Sequence, residues 1–275
     1  MREWSEAGVV SRRSLLSGMA ACALSGAAGL AAGRAVAAAR RGGPELRARE
    51  PTRTEAERAK AQPNGVFAVR TDRPLVALTF DDGPDPAYTP AVLETLARFD
   101  ANASFFVVGV NAAAHPDLLE REISFGHGVG NHTFDHAELE LLPAPAVESE
   151  IDEGERSIVA AGGPKPRLFR PPKGFTDEVV GVFADAERYR TIFWTVCVER
   201  FVDHAGVRPG VQQLLARIRP GMIVLAHDGG HVEAPERPVI DRSRTMEALP
   251  LLLEGIRGAG LQPVSVETLL AARPR

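Results

Sequence analysis

His132 and His136 stand four residues apart in His132-Thr133-Phe134-Asp135-His136, and two imidazoles at i and i+4 of a helix share a face and can grip one metal ion. Thr79-Phe80-Asp81-Asp82-Gly83-Pro84 sets two carboxylates side by side. Asp-Gly-Pro is good turn chemistry, which accounts for a turn here but not for both acids. With Asp82 as third ligand, the set becomes two His and one carboxylate with positions open to water. That set suits zinc, and also cobalt, manganese, nickel or non-haem iron. Such an ion lowers the pKa of its water and polarises a carbonyl, and Asp81 beside the ligand is placed to accept the water's proton. Arg170 and His227-Asp228 complete the set of chemically capable residues, each directly after a short apolar run.

Those runs are the elements that must position the chemistry. Residues 75–80, 104–108, 168–169 and 222–226 read as strands, and 191–198 is rich in β-forming residues. Between them, apolar residues recur at helical spacing: Val92, Leu93, Leu96 and Phe99; Val147, Ile151 and Ile158; Val211, Leu214, Leu215 and Ile218; Met246, Leu249, Leu253 and Ile256. Alternating β and α predicts a parallel sheet covered by helices, open or closed into a barrel. In such folds the carboxyl ends of the strands converge on one mouth. Three separate strand ends then bring an acid, a base and a cation to that mouth.

Charge and composition narrow the rest. Residues 1–41 hold six Arg against two Glu, a net of +4, so the formal −4 of the chain leaves −8 on residues 42–275. An acidic body does not attract nucleic acid or anionic lipid, and no obligate protein partner is evident. Ser11-Arg12-Arg13-Ser14-Leu15-Leu16, a following uncharged run and Ala35-Val36-Ala37 read as a twin-arginine-type export signal over 1–39, giving a secreted or envelope-associated protein. Residues 40–65 carry almost no large apolar side chain and read as a flexible linker, leaving 66–275 as one domain. Cys197 is the one cysteine past that signal and reads as a small buried hydrophobe in a strand.

Thr79 to Pro84, His132 to His136, Arg170-Pro171-Pro172-Lys173-Gly174 and Leu225-Ala226-His227 resemble the successive motifs of the NodB-homology polysaccharide deacetylases, carbohydrate esterase family 4, in order and spacing. The resemblance implies an α/β fold, a distorted (β/α) barrel with fewer than eight strands. It implies that Asp82, His132 and His136 hold a divalent metal, zinc first, with cobalt, manganese or nickel as alternatives. Asp81 becomes the general base oriented by Arg170, the backbone N–H of Lys173 meets the oxyanion, and His227 protonates the leaving amine. Leu225, Phe201 and Pro172 line the substrate pocket. The implied partner is an N-acetylated polysaccharide, a β-1,4-linked N-acetylglucosamine polymer such as peptidoglycan or chitin.

The family pattern is departed from at two places. Lys173 stands where relatives usually carry an aromatic, and Arg200-Phe201 stand where they carry Asp-Trp. That Asp pairs with the catalytic His, and a cation in its place would favour the neutral imidazole. In an extended strand Glu199 would face away from the position of Arg200, leaving Asp203 to swing in from a loop. A substituted carboxylate, a shifted pH optimum and a weakened enzyme are all open at this point. So are two other readings, an O-acetyl esterase on xylan and a carbohydrate-binding relative with little turnover.

Overall fold

The computed structural model describes residues 62, 64–230, 232 and 239–274; the expected export signal and most of the expected linker lie outside them. Of the linker residues, Gln62 is buried and its Nε2 donates to Thr176 Oγ1 at 3.0 Å. The chain runs β1 (Leu75–Asp81), α1 (Thr89–Arg98), β2 (Ser104–Val107), α2 (Gly109–Ala114), α3 (Pro116–Ser124) and β3 (Gly128–Asn131). It continues through α4 (Ala144–Ala160), β4 (Leu168–Phe169), a 3₁₀ turn at Pro172–Gly174, α5 (Glu178–Ala186), β5 (Arg190–Thr191) and β6 (Val196–Cys197). The last elements are α6 (Val198–Ala205), α7 (Val207–Leu215), β7 (Ile223–His227), α8 (Ser243–Gly258), β8 (Gln262–Val264) and α9 (Val266–Ala271). Among the described residues no helix is long and apolar enough to cross a membrane.

All the pairings between these strands are parallel, in the order β5-β4-β3-β2-β1-β7-β6, with the short β8 off this path beside β1. Helices cover the sheet, which winds into the expected distorted (β/α) barrel with seven strands on its path. Every residue of β1 is buried, as a central parallel strand covered on both faces requires. Its side chains alternate between two packing layers. Val76, Leu78 and Phe80 join Val224, Ala226, Phe105, Val107 and the helices in the main core, while Leu75 and Ala77 join Ile223, Phe106, Leu168 and Ile192 on the inner face. Thr79 and Asp81 continue that inner row. The register sets Thr79 beside Leu225 and Asp81 beside His227, so both inward rows end in a titratable side chain.

The β-rich stretch 191–198 divides differently from its sequence pattern. Only Arg190–Thr191 and Val196–Cys197 form strands, and the chain turns helical at Val198. Val198 and Val202, one turn apart, are both buried and anchor α6 against the core. This early helix decides which carboxylate faces His227.

Candidate active site

Asp81 ends β1, and continuing the strand would point Asp82 to the opposite face. Asp82 instead takes a left-handed φ of 76°, a conformation that Asp tolerates better than most residues. Asn111 Nδ2 holds the bend by donating to the Asp82 carbonyl at 2.8 Å. The loop after β7 closes on it so tightly that a Cβ on Gly229 would lie 2.2 Å from the same carbonyl oxygen. Both carboxylates therefore reach one imidazole: His132 Nε2 is 3.7 Å from Asp81 Oδ2 and 3.5 Å from Asp82 Oδ1. His136 Nε2 lies 3.2 Å from the same Asp82 Oδ1. Burial opposes ionisation of Asp82, but its bonds to the two histidines outweigh that and hold it well below the usual carboxylate range.

The two histidines are brought together by a loop and not by the expected helix. Residues 132–136 carry no helical structure, and Thr133 and His136 have φ values of 70° and 60°. The loop is fastened from outside, because the Thr133 and Phe134 carbonyls accept from Gly109 and Val110 N–H and Asn131 Oδ1 accepts from Thr133 N–H. His132 Nδ1 lies 2.7 Å from the Arg170 carbonyl, which can only accept. Nδ1 thereby carries a proton, and Nε2 is the nitrogen left to face Asp82. Asp82, His132 and His136 each offer one ligand atom, all within 4.8 Å of one another. A carboxylate and two imidazoles so oriented fit a divalent ion, as the sequence led us to expect.

Arg170 is wholly buried and fully engaged. Its Nη1 donates to Asp81 Oδ1 at 2.5 Å and to Thr79 Oγ1, Nε to the Ile192 carbonyl, and Nη2 to the Phe193 carbonyl. The guanidinium also lies 4.0 Å from the centre of the Phe106 ring, in cation–π range. Trp194 packs against the inner cluster with its ring 5.6 Å from the same guanidinium.

Across the opening, the carboxylate beside His227 is Glu199. A strand would have turned it away, but it sits in the first turn of α6, where the helix N-terminus also favours its charge. Oε2 is 3.1 Å from His227 Nδ1, while Oε1 accepts from the His227 N–H at 3.0 Å and from Thr245 Oγ1 at 2.8 Å. Burial would raise Glu199, but the imidazolium and these hydrogen bonds pull it down to about 2. Burial likewise lowers His227, and the Glu199 charge overcomes it, leaving His227 above its usual value. Arg200 is exposed, and Asp203 points outward to Arg244 at 3.6 Å. Neither touches His227.

Leu225 lies two residues before His227 on the same inward row, and Pro172 is buried in the turn after Arg170. Lys173, with φ 57°, turns its ammonium out to Glu138. Phe201 does not join this group. Two positions beyond Glu199, it falls nearly opposite on the helix, packs against the main core and lies 4.9 Å beneath Arg217. Cys197 is half-buried rather than sealed, and its thiol donates to Glu199 Oε2 at 3.3 Å. His127 lies at the far end of β3, where its Nδ1 accepts from Ala103 N–H and burial pushes it down to about 4.

One residue of the site had drawn no attention in the sequence. Arg242 is buried at the start of α8; its Nη2 donates to Asp82 Oδ2 at 2.8 Å and its Nε to the Gly229 carbonyl at 2.9 Å. It leaves Oδ1 as the oxygen that faces the histidines. Nearby, burial and the charges of Asp82, Asp85 and Asp81 push Asp228 up to about 7, while Thr89 Oγ1 hydrogen-bonds its Oδ2 at 2.5 Å. Asp228 braces the loop after His227 against the loop after β1.

Comparison with known proteins agrees with this geometry. Residues 68–191 match the family model described as polysaccharide deacetylase. The chain is 33% identical over 216 residues to a peptidoglycan-N-acetylglucosamine deacetylase of Bacillus cereus, covering 78% of this chain and 97% of that protein. It is 36% identical to a chitooligosaccharide deacetylase of Sinorhizobium fredii, over 69% of this chain and 89% of that one. Among solved structures, a family 4 carbohydrate esterase from Streptomyces lividans in complex with acetate superimposes with a TM-score of 0.61 at 28% identity, covering 70% of this chain and 93% of the other. A pseudoenzyme of the same family from Bacillus anthracis superimposes with a TM-score of 0.66 at 27% identity, covering 77% and 70%. With its motifs gathered at one mouth and relatives matched along nearly their full length, the chain belongs to the polysaccharide deacetylases of the NodB-homology type, carbohydrate esterase family 4.

Proposed function

We propose that this protein is an exported, zinc-dependent hydrolase that removes N-acetyl groups from a β-1,4-linked N-acetylglucosamine polymer of the peptidoglycan or chitin kind. One observation carries the reading: Asp81 and His227 are register partners on neighbouring strands, each backed by an opposite charge, Arg170 for one and Glu199 for the other. Amide hydrolysis needs one group to take a proton from water and another to give a proton to the leaving amine. Asp82, His132 and His136 would hold the ion, which when bound polarises the acetyl carbonyl and acidifies a water.

Arg170 occupies Asp81 Oδ1, so Oδ2, facing His132, is the oxygen that takes the proton. Glu199 favours the imidazolium form of His227 and engages the Nδ1 side, which leaves Nε2 to deliver the proton to nitrogen. The Lys173 N–H is the donor toward the oxyanion, and Leu225 with Pro172 receives the acetyl methyl. The substrate class rests on the two deacetylase relatives, and export rests on the Arg12-Arg13 segment alone.

Two competing readings have less support. An O-acetyl esterase on xylan gains if the acid is disabled, because an alcohol leaves more readily than an amine; Glu199 supports the acid. A binding protein without turnover gains if Asp81, a ligand or Arg170 is missing, and all stand in the site.

Acetate release from N-acetylglucosamine oligomers, peptidoglycan and acetylated xylan by metal-stripped and zinc-reloaded protein tests the proposal. Zinc-dependent release from an amino sugar is expected. Asp81→Asn should keep its zinc and lose at least about a hundredfold in turnover. Release from xylan alone, or normal turnover by Asp81→Asn, would overturn the reading.

A further inference from the structure

We propose that Cys197, Glu199 and His227 form a second cation site, distinct from Asp82, His132 and His136, that takes a thiophilic divalent ion such as zinc and inhibits the enzyme when filled. The inhibition rests on the reading of His227 as the acid; the site itself does not. Cys197 Sγ, a Glu199 carboxylate oxygen and a His227 ring nitrogen lie within 4.8 Å of one another. Sγ to Oε2 is 3.3 Å and Oε2 to Nδ1 is 3.1 Å. Bonds of about 2.3 Å to sulfur and about 2.0 Å to nitrogen and oxygen give a zinc tetrahedron edges of roughly 3.3–3.5 Å. These two edges therefore need to open by only a few tenths of an ångström, and the third lies within 4.8 Å.

The bonding of Nδ1 agrees with the distances. Nδ1 lies 3.1 Å from Oε2 yet meets no hydrogen-bond partner in ordinary geometry, so this buried nitrogen has bonding capacity to spare beside a carboxylate and a thiol. The side chains of His227 and Glu199 are 19% and 13% exposed and Cys197 is half-buried, while Nδ1 itself is shielded, so an ion enters past Cys197 and Glu199 as the donors part.

Charge and softness select the occupant. Glu199 is ionised at neutral pH, whereas burial and the Glu199 charge keep Cys197 as a thiol. Binding therefore releases two protons, one from sulfur and one from Nδ1 of the imidazolium, and no redox partner is needed. A Cys, Glu and His set with one open position suits zinc or cobalt. Once coordinated, His227 is a neutral imidazole whose Nε2–H is a far weaker acid than imidazolium, so the leaving amine goes unprotonated.

Cobalt(II) is the probe, added stepwise to the metal-stripped full chain. The Asp82, His132 and His136 set contains no sulfur, so a near-ultraviolet thiolate-to-cobalt charge-transfer band reports only a cysteine ligand. We expect the band to grow after the first equivalent, with acetate release falling at least about tenfold as it grows. Cys197→Ser should lose the band while still binding the first equivalent, which shows that it has folded. Cys22→Ser should keep the band. No band over several equivalents, a band that survives Cys197→Ser, or one that vanishes with Cys22→Ser overturns the site. A band in a protein that releases no acetate upholds the site and removes the deacetylase reading; acetate release without a band does the reverse.

Discussion

Arg170 and Asp81 meet at 2.5 Å with side chains 0% and 3% exposed, whereas Glu199 and His227 meet at 3.1 Å with 13% and 19% exposed. Both are a cation paired with a carboxylate, but they are held by different means. Arg170 is clamped by two main-chain carbonyls, a hydroxyl and an aromatic face on three different segments of the inner wall. Glu199 hangs from the first turn of an eight-residue helix and is steadied by Thr245. The side proposed to hold the base is thus part of the core, and its pairing is a matter of stability. The side proposed to hold the acid is partly wet, and its pairing is a matter of pH.

The largest test of that contrast is Arg170→Met. It takes the guanidinium away from the buried Asp81 side chain, which should cost about 3–5 kcal/mol of stability. Urea unfolding measures it. Glu199→Gln keeps the shape and most of the hydrogen-bonding capacity of a group nearer solvent, and should cost roughly 1 kcal/mol. Equal losses from the two substitutions would erase the distinction.

A smaller effect on stability goes with a larger one on pH. His227 is raised by Glu199, so its charged contribution to stability is complete below the unfolded value of 6.5 and is lost as pH rises through the higher folded value. Glu199 is lowered to about 2, so its contribution is complete above the unfolded 4.5 and is lost as pH falls toward 2. The pair therefore stabilises fully between pH 4.5 and 6.5. Glu199→Gln should flatten the pH dependence of the melting temperature on either side of that window, below pH 4.5 and above pH 6.5. In turnover, it should move the alkaline limb down by about one pH unit or more, as loss of a close opposite charge requires. An unmoved limb would mean that His227 does not set it.

The same contrast explains what the sequence made legible. The base side is a local signal: an apolar run, then Asp81-Asp82, then a turn, and β1 occupies Leu75–Asp81 where residues 75–80 were expected. The acid side depends on where β6 gives way to α6, and the β-rich run 191–198 hides that point. Val198, Val202 and Ala205 at helical spacing were the available sign, too short to outweigh their β-branched neighbours. The His132–His136 spacing misled in the other direction, since a loop with two left-handed residues reproduces what a helix would do. Arg242 had no local signature at all. It stands in Asp241-Arg242-Ser243-Arg244, and nothing nearby distinguishes the arginine that turns inward to Asp82 from the one that stays on the surface.

The smallest expected effect is the most pointed. On the reading that Arg200 fills the place of the family's carboxylate, Arg200→Asp should restore a missing partner and raise activity near neutral pH. The structure removes that expectation, because Arg200 is exposed and Glu199, one residue earlier on the helix, already faces His227. A helical step of 100° separates the two side chains, so only one of them can address the imidazole. Arg200→Asp should therefore change turnover by less than about twofold and leave the alkaline limb in place, while an acid in the first turn of α6 adds at most about 1 kcal/mol of stability. The sharper version is the double substitution. If Arg200→Asp rescues Glu199→Gln, the start of α6 can rotate to present either residue, and the acid side is set by the nearest carboxylate. If it does not, the onset of the helix at Val198 fixes which residue serves His227, and the departure from the family pattern is a shift of one position in the same pairing.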